Sequence, residues 1–129
     1  MAATVDARTR LDTPLKLLLD VDQSFESYDL EFTPEQALAA ALTLGQPRMA
    51  EFIHSANALA RKHGADRSYS IRLGRRFGAY IVSLECYKGT FPNACELMVL
   101  IESKAKAYGA FDWGTEDGNQ VAKAWAKWE

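Results

Sequence analysis

Tyr69-Ser70-Ile71-Arg72-Leu73-Gly74-Arg75-Arg76-Phe77-Gly78-Ala79-Tyr80-Ile81-Val82-Ser83-Leu84-Glu85-Cys86-Tyr87 is the stretch that decides the fold. Tyr69, Ile71 and Leu73 alternate with Ser68, Ser70 and Arg72. A period of two sends one set of side chains into a core and the other toward water, so the segment reads as a half-buried strand. Gly74 to Gly78 carries the turn signals. Ala79 to Tyr87 follows as the strongest strand pattern in the chain. Tyr80, Val82, Leu84 and Cys86 share one face, and Ile81, Ser83, Glu85 and Tyr87 share the other.

On the N-terminal side, Tyr28-Asp29-Leu30-Glu31-Phe32 also alternates and predicts a strand whose polar face is Asp29 and Glu31. Thr33-Pro34-Glu35-Gln36 is a helix start, with a capping threonine, a proline at the first helical position and a glutamine that completes a capping box. The alanine-rich run from Ala37 to Leu44 favours helix, and Gly45 can stop it. Pro47 opens a second piece with Phe52, Ile53, Ala56, Leu59 and Ala60 on one face. Asp12-Thr13-Pro14 can start a short helix over Leu15 to Leu19, and residues 1–13 read as a loose arm.

On the C-terminal side, Pro92 opens a helix with Leu97, Leu100, Ile101, Ala105 and Tyr108 as its apolar stripe. Ala110 to Trp113 reads as a short edge strand. Asp117 to Gln120 can cap a last helix, in which Val121, Ala124, Trp125 and Trp128 recur at helical spacing. The order predicts an α+β domain of ferredoxin-like βαββαβ type. It would have a four-stranded antiparallel sheet, helices on one face and an extra C-terminal helix.

The 129 residues suit one domain with one core. A net charge of −2 excludes a polycation that coats nucleic acid and an acidic disordered tail. No apolar run approaches the length of a membrane span, and the first residues lack the pattern of a secretory signal. Cys86 and Cys95 form no CxxC and are too few for a disulfide scaffold, which suits a reducing, cytoplasmic setting. The small net charge hides segregation. Residues 1–47 hold eight acids and three bases, residues 48–90 eight bases and three acids, and residues 91–129 six acids and four bases. Either these surfaces pair with each other inside the fold, or one of them meets a partner of opposite charge.

Catalytic signals are sparse. His54 and His63 lie nine apart on one predicted helix and point to opposite sides. His54, beside Phe52 and Ile53, reads as a partly buried structural residue. Cys86 falls on an apolar strand face, where thiols are inert packing groups. No phosphate-binding, dinucleotide, zinc-protease or nucleophile-elbow motif is present. No cofactor or metal is expected, and a binding protein is favoured over an enzyme. An RNA-binding reading would use Arg72, Arg75, Arg76 and Tyr80, with Tyr80 exposed for base stacking. Its register departs from the RNA-recognition signature, because Phe77 stands where glycine is required and Gly78 where an aromatic is required.

The strand from Tyr80 to Cys86, the helix across Leu97 to Tyr108 and the segment Phe111-Asp112-Trp113-Gly114-Thr115 together resemble the B-type regulator of ribonuclease E activity. That family closes on an aromatic–Asp–Gly–Trp–Gly–Thr segment, and this chain lacks the glycine between Asp112 and Trp113. The helix ending in Lys62-His63-Gly64 resembles the family's first helix, and the similar region covers roughly residues 28–116. The resemblance implies a ferredoxin-like fold and a protein that inhibits a nuclease by binding it.

The expectation is therefore a small protein-binding regulator or inhibitor that masks a larger partner, a ribonuclease being one such partner. The partner-binding residues expected are Asp20, Asp22, Glu26, Asp29, Glu31, Asp112, Trp113 and Trp128. A toxin-immunity protein, a phage-encoded inhibitor of a host defence protein and an RNA-binding module are the alternatives. No membrane association is expected.

Overall fold

The computed structural model describes residues 28–76 and 78–129. The expected arm over 1–13, the helix over Leu15 to Leu19, and Asp20, Asp22 and Glu26 lie outside the described residues.

Strands β1 (Tyr28–Phe32), β2 (Tyr69–Arg76), β3 (Ala79–Tyr87), β4 (Asp112–Asp117) and β5 (Val121–Trp128) form one sheet in the order β1-β2-β3-β5-β4. Every neighbouring pair is antiparallel. Helices α1 (Pro34–Thr43), α2 (Pro47–Lys62) and α3 (Ala94–Glu102) and a 3-10 turn (Lys106–Tyr108) complete the described fold. The class is α+β, as expected, but the sheet has five strands rather than four. Its order also departs from the ferredoxin-like one, because β1 stands at an edge beside β2 alone.

The first half follows the local chemistry. The Gln36 N–H donates to Thr33 Oγ1 at 3.2 Å while the Thr33 N–H donates to Gln36 Oε1 at 3.0 Å, so the capping box that starts α1 is complete. Met49, Phe52, Ile53, Ala56 and Ala60 are the buried stripe of α2. The hairpin turn is tighter than Gly74 to Gly78. Arg76 pairs with Ala79, and Gly78 takes φ +82°. Gly74 stays inside β2, paired with Asp29 and Ile81.

The second half departs from expectation in two places. Helix α3 ends at Glu102 instead of continuing to Tyr108. Ala94, Leu97, Met98 and Ile101 are its buried residues, and Leu100 faces outward. The expected C-terminal helix is strand β5. Val121-Ala122-Lys123-Ala124-Trp125-Ala126-Lys127-Trp128 satisfies both a helical spacing of apolar residues and a strict alternation, and the alternation wins. Ala122, Ala124, Ala126 and Trp128 are buried on one face, and the three small alanines let α3 approach the sheet closely.

The core lies between the helices and this sheet face. Phe32, Ile71, Leu73, Val82, Leu84 and Cys86 meet Phe52, Ile53, Met98 and Ile101, all almost fully buried. Burial of each large apolar side chain contributes about 1.5–3 kcal/mol. Among the described residues, no helix is long and apolar enough to cross a membrane.

Candidate functional site

The face of the sheet opposite the core carries the other half of each alternation. Asp29 and Glu31 come from β1, Ser70, Arg72 and Arg76 from β2, and Ile81, Ser83 and Glu85 from β3. Lys123, Trp125 and Lys127 come from β5, and Asp112, Gly114 and Glu116 from β4. Successive columns across the sheet are therefore acidic, basic, acidic, basic and acidic.

Register turns this pattern into cross-strand pairs. The Arg72 guanidinium lies 3.8 Å from Asp29 and 3.5 Å from Glu85. Glu85 is also 3.6 Å from Lys123, and Lys127 is 4.0 Å from Asp112. One carboxylate on the central strand thus serves two cations from the strands either side of it.

At the middle of β5, Trp125 faces Gly114 across the ladder. A β-carbon built on Gly114 would stand 2.7 Å from Trp125 Cζ2, so the indole covers the bare backbone at that point. The Lys127 ammonium sits 5.2 Å from the centre of the Trp125 ring. Beside the indole, a groove of about 370 Å³ crosses the sheet. Ile81, Ser83 and Trp125 line it, with Arg76, Lys123 and Lys127 as its cations and Asp29 and Glu116 as its acids. The arrangement can seat a polypeptide surface. It offers an aromatic anchor, an aliphatic neighbour and charges of both signs.

The structure redistributes the expected site residues. Asp29, Glu31 and Asp112 lie on this face as predicted from strand alternation. Trp113 points to the other side and packs against the core. Trp128 is 4 % exposed; its ring stands 5.2 Å from that of Phe52, and its Nε1–H donates to the Tyr108 carbonyl at 3.0 Å. It is a core residue and not a contact for a partner, because β5 alternates and carries it to the helix side.

The four residues expected to bind RNA do not converge. Arg72 and Arg76 belong to the open face. Arg75 and Tyr80 belong to the helix side, where the guanidinium lies 5.0 Å over the ring. Tyr80 is 8 % exposed and so cannot serve as a stacking platform. Tyr87 lies at the far end of this face, and the aromatic that stands in the groove with Arg76 is Trp125, which the sequence reading places on a helix. The strict alternation of residues 121–128 was the signal that could have found it, together with Lys123 and Lys127.

The remaining reactive groups lie elsewhere. His54 is exposed on α2, not partly buried as expected. Cys86 is fully buried, and burial followed by the nearby Cys95 pushes its thiol up to about 11. At the far end of β4, Lys88 and the Cys95 thiol both hydrogen-bond to Asp117 Oδ1, the thiol at 3.0 Å. Hydrogen bonds from Cys95 and then Lys88 lower the Asp117 carboxyl, while the bond to Asp117 raises both Cys95 and Lys88. Among the described residues, no three His, Cys, Asp or Glu side chains group so as to hold a metal.

Fold and site together define a two-layer α+β domain whose helices pack on one sheet face and whose other face carries a charged groove around a tryptophan. No family model, curated protein or solved structure matches the chain.

Proposed function

We propose that the chain is a small protein-binding regulator that masks a surface of a larger partner through the open face of its sheet. The observation that supports this reading is the placement of Trp125, outside the core, among Ile81, Lys123, Lys127 and Glu116. The ring is half-buried and lies outside the core cluster, and tryptophan and arginine dominate the energetics of protein interfaces. Both edge strands add acids to the face, Asp29 and Glu31 on β1 and Asp112 and Glu116 on β4. A ribonuclease, whose substrate site must attract phosphate, is a partner class that such acids complement.

The charge pairing argues against single-stranded RNA as the ligand. Arg72, Lys123 and Lys127 each lie within 4.0 Å of a carboxylate of the same face. A phosphate chain would have to displace these carboxylates and also pass the acids of both edge strands, whereas a polypeptide of mixed charge can exchange partners with both signs.

Affinity capture from an extract of the source cells tests the reading, with the wild-type chain and Trp125→Ala compared side by side. A protein recovered by the wild type and lost with Trp125→Ala, at unchanged melting temperature, supports it. Equal recovery by both forms, or recovery of RNA that nuclease removes, would overturn it.

A further inference from the structure

The groove has an order of charges that specifies the chemistry of what fills it. It starts at Asp29 on the β1 edge, passes Arg76 at the end of β2, and crosses Ile81 and Ser83 on β3. It then meets Lys123, Trp125 and Lys127 on β5 and ends at Glu116 on the β4 edge. The acids are at its two ends, the cations lie inside them, and the apolar surface is central. Four strand spacings separate β1 from β4, a span of about 19 Å. Six or so residues of extended chain, or about thirteen of helix, cover that distance.

We infer that the occupant is one polypeptide segment of the partner that crosses all five strands. It carries basic side chains at both ends and an acidic centre, with an apolar side chain beside Ile81 and Trp125. This rests on the protein-binding reading and adds the charge order of the recognised segment. A nucleic acid fails the complementarity because its uniform negative charge would meet Asp29 and Glu116. An all-basic peptide fails it at Arg76, Lys123 and Lys127. A second copy of this chain, laid face to face with its strands in line, brings acidic columns onto acidic columns and basic onto basic. Like charges so placed oppose association.

The test uses the full chain with a photo-crosslinking amino acid in place of Ser83, irradiated in an extract of the source cells. Two charge reversals are made in that background, Asp29→Lys with Glu116→Lys, and Lys123→Glu with Lys127→Glu. The inference predicts one protein adduct whose crosslinked peptide has an acidic centre between basic flanks. Each reversal should reduce its yield about tenfold, a change typical of losing charge pairs at an interface. The single variants Glu116→Lys and Lys127→Glu, with smaller losses in the same direction, serve if either double variant melts early.

A nucleic acid or an acidic segment would instead gain yield when the end acids are reversed. That result overturns the inference, as does an adduct to residues 1–27 of this chain, to a second copy, or to nothing. Capture that depends on Trp125 but ignores the reversal of Asp29 and Glu116 leaves the protein-binding reading standing and removes the charge order alone.

Discussion

Trp125 lies across Gly114, with its Cζ2 only 2.7 Å from where a β-carbon on that glycine would stand. The indole and the glycine are partners in the β4–β5 ladder, so the ring position is set by backbone pairing as much as by its own rotamer. This contact separates folding from function. The ring is the far end of a side chain that packs outside the core and can swing away.

Gly114→Val is therefore expected to displace the indole without unfolding the domain. The Trp125 Nε1–H resonance should shift by heteronuclear NMR while those of Trp113 and Trp128 stay in place. Stability should fall by about 1–2 kcal/mol, within the range for a crowded side chain. Partner binding should fall with it.

Trp128 and Trp125, three residues apart, should behave oppositely. Trp128→Ala opens a cavity beside Phe52 and leaves the Tyr108 carbonyl with the Arg48 Nε–H as its remaining donor, for a loss of about 3–5 kcal/mol. Trp125→Ala should cost about 1 kcal/mol or less, as is usual away from the core. Chemical denaturation of the two variants measures the difference, and similar losses would contradict the assignment of faces.

Removing the shared carboxylate should loosen the ion-pair chain. Glu85→Gln leaves Arg72 with Asp29 and Lys123 without its anion. Because the pairs are partly exposed, the expected cost is about 1 kcal/mol at low salt and less as salt is added. Denaturation at two ionic strengths checks both the size and the salt dependence.

Alkaline pH should destabilise the fold. Burial raises the Tyr69 hydroxyl well above its usual value and Cys86 to about 11. Both groups hold their protons more tightly in the folded chain than in the unfolded one. The stabilisation is complete below the unfolded pKa values and is lost as pH rises through the folded ones. The melting temperature should decline from about pH 9 upward, from the reference values of thiol and phenol. Cys86 should resist alkylation until the chain unfolds, and rapid native labelling of Cys86 would contradict its placement.

Local signals carried the first five elements of the fold. The capping box, the alanine run, the apolar stripe after Pro47 and three alternating strands each had one reading that agreed with packing. The last strand did not. In residues 121–128 the apolar side chains at 121, 124, 125 and 128 fit a helix, while the small alanines hid the alternation. The pairing partner that decides between them, β3, lies more than thirty residues earlier in the sequence. Strand order was hidden for the same reason, since it rests on contacts between distant segments. The misread strand cost the site its centre, because Trp125, Lys123 and Lys127 all sit on it. Asp29, Glu31 and Arg72 were legible, because alternation alone assigns their face.

The most direct test of the central claim is isothermal titration of the captured partner with the wild-type chain and with Trp125→Ala at matched salt. Binding through the open face predicts a loss of about 2 kcal/mol or more, the scale of an interface hot spot, with little change in melting temperature. Equal affinities for the two forms would contradict it.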